Sequence, residues 1–164
     1  MQTKLSIRHE ISGDATDIDD ITTAAFDRRD EAALVAKLRE DRDVVLSLVA
    51  EEQGQMIGHI LLSTMKAPFK ALGLAPVSVH PDHQNKGVGS ALIRCAIEGA
   101  RKRDFDAIFL LGAPAYYTRF GFSVDDAKTF KSPYAGPYFM ALPLGAGFQR
   151  NNAQVEYAPA FQQL

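Results

Sequence analysis

The run Val77-Ser78-Val79-His80-Pro81-Asp82-His83-Gln84-Asn85-Lys86-Gly87-Val88-Gly89-Ser90 carries most of the chemistry legible in this chain. An apolar β-type stretch gives way to a polar loop, and a helical pattern then begins between two glycines. The first turn of a helix has N–H groups without intrahelical partners and lies at the positive end of the dipole. Glycine lets an anion approach that backbone closely, and Lys86 adds one positive charge. Such residues in this order can cradle a phosphate or pyrophosphate. Downstream, Tyr116 and Tyr117 are adjacent phenols, each able to donate a hydrogen bond.

Two familiar phosphate loops do not fit. A Walker loop needs a Gly-Lys pair followed by Ser or Thr, and here Lys86 precedes Gly87. A dinucleotide fingerprint needs a third glycine where this chain has Leu92. His80, Asp82 and His83 are metal-ligating types, but Pro81 stands against a compact chelate, and no metal is expected. Cys95 is the only cysteine, which excludes an intramolecular disulfide and a Cys-only metal site. It reads as a small apolar residue on the buried face of a helix. Glu51, Glu52 and His59 are candidate general bases, none of them singled out by spacing.

Around these residues the pattern predicts alternating elements. Residues 5–9 alternate as a strand, and Asp14 can cap a helix reaching about Phe26. A second helix spans 30–40, with Leu34, Val35 and Leu38 as its stripe. Strands are expected at 44–51 and 56–65, joined by Gln53-Gly54-Gln55. The next, 73–79, is interrupted by Pro76, which predicts a bulge or an edge position. The strongest helix is 86–103, and 107–111 reads as a buried strand. Pro114 opens a short helix that stops at Gly121. Late strands are expected at 122–124, 138–144 and, short, at 155–157. The result is an α/β (α+β) chain with one mixed sheet and helices on both faces.

Length and composition agree. The 164 residues, 46% of them hydrophobic, are enough for the core of one domain over 1–164, with a core at 4–145 and a C-terminal extension at 146–164. Lys+Arg 18 against Asp+Glu 20 leaves a net charge of −2, so no positive field is available for nucleic acid or an anionic membrane. Charges at Lys4 and Arg8, with no apolar stretch between them, predict no signal peptide, and no apolar run is long enough to cross a bilayer. A cytoplasmic monomer or homodimer is expected.

The pattern Q/R-x-x-G-x-G/A, met by Gln84, Gly87 and Gly89, closely resembles motif A of the GNAT superfamily of N-acetyltransferases. The run Gly112-Ala113-Pro114-Ala115-Tyr116-Tyr117-Thr118-Arg119-Phe120-Gly121-Phe122 resembles the family's second signature, in which a tyrosine precedes Gly-Phe by four positions. Its Y-Y-x-R-F-G-F core, with the tail Tyr157-Ala158-Pro159-Ala160-Phe161, is similar to a bacterial subgroup of predicted acetyltransferases. The resemblance is strongest over 73–122. One departure is Leu110, where many members have an asparagine that helps hold pantetheine.

The resemblance implies a GNAT-like acyl-CoA N-acyltransferase fold with a V-shaped opening between the strands at 73–79 and 107–111. It implies acetyl-CoA as cosubstrate. The pyrophosphate would sit on Gln84, Asn85, Lys86, Gly87, Val88, Gly89 and Ser90, and the pantetheine arm would pair with Val77, Ser78 and Val79. A primary amine would attack the thioester directly in a ternary complex, with a backbone N–H near Val79 as oxyanion donor and Tyr117 returning a proton to sulfur. The alternative is a non-catalytic acyl-CoA-binding or regulatory protein of the same fold.

Overall fold

A computed structural model describes residues 4–163. Readings that touch residues 1–3 and 164, at the ends of the expected domain, lie outside the described residues. Strand β1 (Leu5–His9) is followed by helices α1 (Ala15–Phe26) and α2 (Asp30–Glu40). Three strands come next: β2 (Val44–Glu52), β3 (Gln55–Lys66) and β4 (Ala71–Val79). Helix α3 (Val88–Lys102), strand β5 (Ala107–Leu111) and the short helix α4 (Pro114–Tyr117) lead to β6 (Phe139–Pro143) and β7 (Glu156–Tyr157). The strands lie side by side in the order β1-β2-β3-β4-β5-β6, with β7 paired to the far end of β3. Only β4 and β5 run parallel.

Helices cover both faces. Against one lies α3, whose Val88, Leu92, Ile93, Ala96, Ile97 and Ala100 are buried at helical spacing. They pack with Leu48, Ile60, Leu62 and Leu72 from the central strands. On the other face, Ile18 of α1 and Leu34, Val35 and Leu38 of α2 meet Val49 and Leu61. The tail closes this layer with Ala158, Ala160 and Phe161. Ser47, Val49, His59 and Leu61 share the α1/α2 side because alternate residues along a strand point to opposite faces.

Several expectations need correction. Cys95 is exposed, because the buried stripe of α3 runs through 92–93 and 96–97 and leaves 95 on its flank. Helix α3 starts at Val88 rather than Lys86, since Asn85 (φ 62°) and Gly87 (φ 86°) are left-handed and cannot continue a helix. Residues 122–124 form no strand, only an isolated bridge from Ser123 to Ala141. Just beyond, the Ser123 hydroxyl accepts the Asp126 N–H and donates to its carboxylate, which turns the chain away. Asp14 precedes α1 but does not cap it with its side chain; its carboxylate accepts from Ile11 N–H and Arg8.

Pro76 sits in a central strand, not at an edge, and the bulge is there. Ile60 pairs with Val77 and Leu62 with Leu74, so β4 has one residue more than β3 in that interval. On its other side β4 pairs with β5 only at Ala71↔Ala107, Leu72↔Ile108 and Gly73↔Phe109. Beyond Gly73 the two strands part, leaving the V-shaped opening that positions the site.

Candidate active site

The opening is lined by backbone of β4 that β5 does not pair. His80 N–H donates to the Ile57 carbonyl at 2.8 Å, and the register pairs Ser78 with His59. In an antiparallel ladder every second residue exchanges both bonds with its partner. Ser78 is therefore bonded to β3, while Val77 and Val79 turn their N–H and C=O away from it, toward the opening. The Val79 carbonyl is taken by Gln84 Nε2 at 3.0 Å, which ties the loop to the end of the strand.

A cavity of about 620 Å³ begins here. All the candidates from Val77 to Ser90 line it except Ser78, whose side chain is buried on the α1/α2 face, and Lys86, which is exposed on the loop. Left-handed Asn85 and Gly87 bend the loop so that N–H groups at the start of α3 gather in a concavity. A Cβ on Gly89 would point at the Tyr116 hydroxyl, 3.6 Å away, and at Val79 Cγ2, 3.7 Å away, both on the wall of the same cavity. The far wall is Tyr116, whose hydroxyl lies 3.1 Å from Ser90 Oγ.

Arg119 also lines this cavity. Its guanidinium lies 4.5 Å from the centre of the Tyr116 ring, and its Nε donates to the Tyr116 carbonyl at 2.8 Å. Sequence reading passed over this cation because Lys86 stood in the glycine loop itself. The available signal was its position one helical turn after Tyr116. Ala25 and Phe26 at the end of α1 close the rim, and nothing in the motif pointed to them.

On the other side of the opening is a second cavity, of about 520 Å³. Leu74–Val77 of β4 and Leu111 of β5 form one wall, and Tyr117, Tyr134, Tyr157 and Phe161 form much of the rest. The two cavities share Phe26 and Val77. The tyrosines are thus divided, Tyr116 to the first cavity and Tyr117 to the second. Burial pushes the Tyr117 phenol above its ordinary value, with Tyr116 adding to the effect, so Tyr117 stays protonated and able to donate. Leu110 is buried against the α3 layer, and the β5 residue at the opening is Leu111.

None of the three candidate bases lines either cavity. His59 is fully buried, with Nε2 2.8 Å from Ser47 Oγ. Desolvation pulls its pKa down to about 4, with Arg39 assisting and Glu10 and Asp14 opposing, so it is neutral. Glu51 is held by Arg8, and Glu52 lies 3.9 Å from His83 Nδ1. A carboxylate that spacing did not single out, Glu31, does line the second cavity. Arg28 grips it through Nε at 2.8 Å and keeps its carboxyl below the usual range. Among the described residues no group of three or more His, Cys, Asp or Glu is arranged to hold a metal.

The sequence from residue 14 to residue 122 matches the acetyltransferase (GNAT) family. The chain belongs to the GNAT acetyltransferase family. It is 40% identical over 133 residues to the uncharacterized N-acetyltransferase YjhQ of Escherichia coli, covering 76% of this chain and 73% of that one. The crystal structure of YhbS, a GNAT N-acetyltransferase from Escherichia coli in complex with CoA, superposes with a TM-score of 0.90. The two share 29% identity, with 99% of this chain and 94% of YhbS covered. A GNAT acetyltransferase from Brucella melitensis, solved with acetyl-CoA, gives a TM-score of 0.81 at 35% identity, covering 96% and 98%. The mostly antiparallel sheet that parts between β4 and β5 is thus the GNAT acyltransferase fold.

Proposed function

We propose that this protein transfers the acetyl group of acetyl-CoA to a primary amine by direct attack in a ternary complex. The observation that carries the reading is the parting of β4 from β5, with the backbone of Val77 and Val79 turned into it. An anion cradle lies on one side of the opening and a tyrosine-lined cavity on the other. The residues fit the group: helix-start amides at 87–90, with Arg119 and Lys86 nearby, suit a pyrophosphate. An extended amide-bearing arm can add to the free edge of β4 along 77–79, bonding Val77 and Val79 while Ser78 stays paired to β3. The relatives solved with CoA and acetyl-CoA support this ligand.

The bound thioester supplies the acyl group. The amine nitrogen must be neutral, since an ammonium has no lone pair. It bonds to the carbonyl carbon, the carbonyl oxygen gains negative charge, and a free N–H of Val77 or Val79 donates to it. The carbon–sulfur bond breaks, Tyr117 passes its proton to the leaving sulfur, the nitrogen gives its surplus proton to water, and water returns a proton to the Tyr117 phenolate. The products are an N-acetyl amine and CoA thiol. Binding of acyl-CoA without transfer is the second reading, and the second cavity, with Tyr117 protonated on its wall, favours transfer. We place the enzyme in the cytoplasm as one domain, a monomer or a homodimer. Among the described residues no helix is long and apolar enough to cross a membrane.

The test is thiol release from acetyl-CoA over a panel of amines, with CoA binding measured by calorimetry. Amine-dependent release supports transfer. Binding without release for any amine supports the second reading.

A further inference from the structure

We infer that the acceptor is a small primary amine carried on an apolar, aryl-bearing body without a carboxylate or a second charged group, bound in the second cavity. This rests on the acetyl-transfer reading above. The cavity meets the cofactor cleft at Val77 and Phe26, so an amine held in it reaches the point where β4 parts from β5. Its walls are mostly aromatic and aliphatic, with Phe26, Leu34, Leu111, Tyr134, Tyr157 and Phe161 contributing from four separate parts of the chain. Two of these rings pack edge to face against each other, Tyr134 5.4 Å from Tyr157 at 71°, which makes this wall aromatic. The mouth is apolar too. Among the described residues the exposed large hydrophobics are Ile11, Phe26, Leu111 and Tyr138. Two of these, Phe26 and Leu111, line this cavity, and the Tyr138 carbonyl accepts from Gly112, next to Leu111.

Charge excludes the common alternatives. Arg28 is the only cation among the described lining residues, and its Nε is bonded to both Glu31 oxygens, at 2.8 and 3.1 Å. Its Nη1 also lies 4.0 Å from Asp30, so this cation is engaged. The carboxylate of an amino acid would find no unengaged cation here. A second ammonium of a polyamine would lose its hydration to aromatic walls, where the one buried carboxylate is already neutralised. The Tyr157 hydroxyl is closed off from solvent and has no partner among the described residues.

The test is steady-state acetylation of 2-phenylethylamine, phenylalanine, 1,3-diaminopropane and a lysine-containing peptide, with CoA calorimetry on the same samples. The expected result is a kcat/KM for 2-phenylethylamine at least about tenfold above each of the others. Tyr134→Arg places an unpaired cation on a half-exposed wall residue. It should narrow the 2-phenylethylamine to phenylalanine ratio at least about fivefold, with the melting temperature little changed. Preference for the amino acid, the diamine or the peptide overturns the assignment, as does an unchanged ratio in the variant. Absence of CoA binding removes the acetyl-transfer reading beneath it. CoA binding with charged acceptors preferred overturns only the acceptor class.

Discussion

Tyr116 and Tyr117 stand with ring centres 5.0 Å apart and planes at 84°, and face different cavities. The first bonds Ser90 at the start of α3, and the second lies beside the bulged strand. Neighbouring phenols are in this way separated between the two cavities, the proposed cofactor cleft and the proposed acceptor side.

From that separation, Tyr117→Phe should lower kcat by roughly ten- to a thousand-fold with CoA affinity little changed. A thiolate is a fair leaving group, so the lower part of that range is expected. Tyr116→Phe removes only the contact with Ser90 and should be mild in kcat. Steady-state kinetics on both variants, with CoA calorimetry, check this, and the reverse ranking would move the donor to Tyr116.

Gly89→Glu should abolish CoA binding. The new side chain would project toward Tyr116 and Val79, placing bulk and negative charge in the anion cradle. Arg119→Ala should weaken CoA by about five- to tenfold, the loss of one charge-assisted contact. Isothermal titration with CoA reads both, and full affinity in the Gly89 variant would refute the cradle.

Gly112→Ala tests the position of Tyr117 without touching its hydroxyl. A Cβ there would lie 2.4 Å from Tyr117 Cε2, so the ring must move. The variant should lose kcat while keeping CoA affinity, and should be destabilised by about 1–3 kcal/mol from overpacking. Thermal melting with kinetics separates the two effects.

Stability should fall as pH drops from about 6.5 toward 4. His59 has a folded pKa of about 4, below the ordinary value of 6.5, because burial disfavours its charged form. Between those values the unfolded chain binds the proton and the folded one does not, so stability rises with pH there and is fully present above 6.5. The slope from this one group should be on the order of 1 kcal/mol per pH unit. Urea titrations of His59→Leu across this window should show the slope flattened, and an unchanged slope would assign it elsewhere.

Features under short-range chemical control were legible in the chain. The loop from Val77 to Ser90 was legible because a β-type run, two glycines and an apolar stripe lie within one stretch of chain. The bulge at Pro76 and the stop at Gly121 were legible because proline and glycine act on their own backbone. Where several arrangements share one pattern the reading failed: Cys95 lies beside the apolar stripe of α3, and the buried positions 92–93 and 96–97 leave it on the exposed flank. Residues 122–124 look like a strand until the Ser123–Asp126 contact turns them aside. The second cavity arises from long-range packing. Phe26, Leu74, Tyr117 and Tyr157 come from α1, β4, α4 and β7, and they meet because β4 parts from β5 and the tail folds back onto β3. No local preference encodes contacts between residues so far apart in the chain; they follow from the packing of the whole sheet.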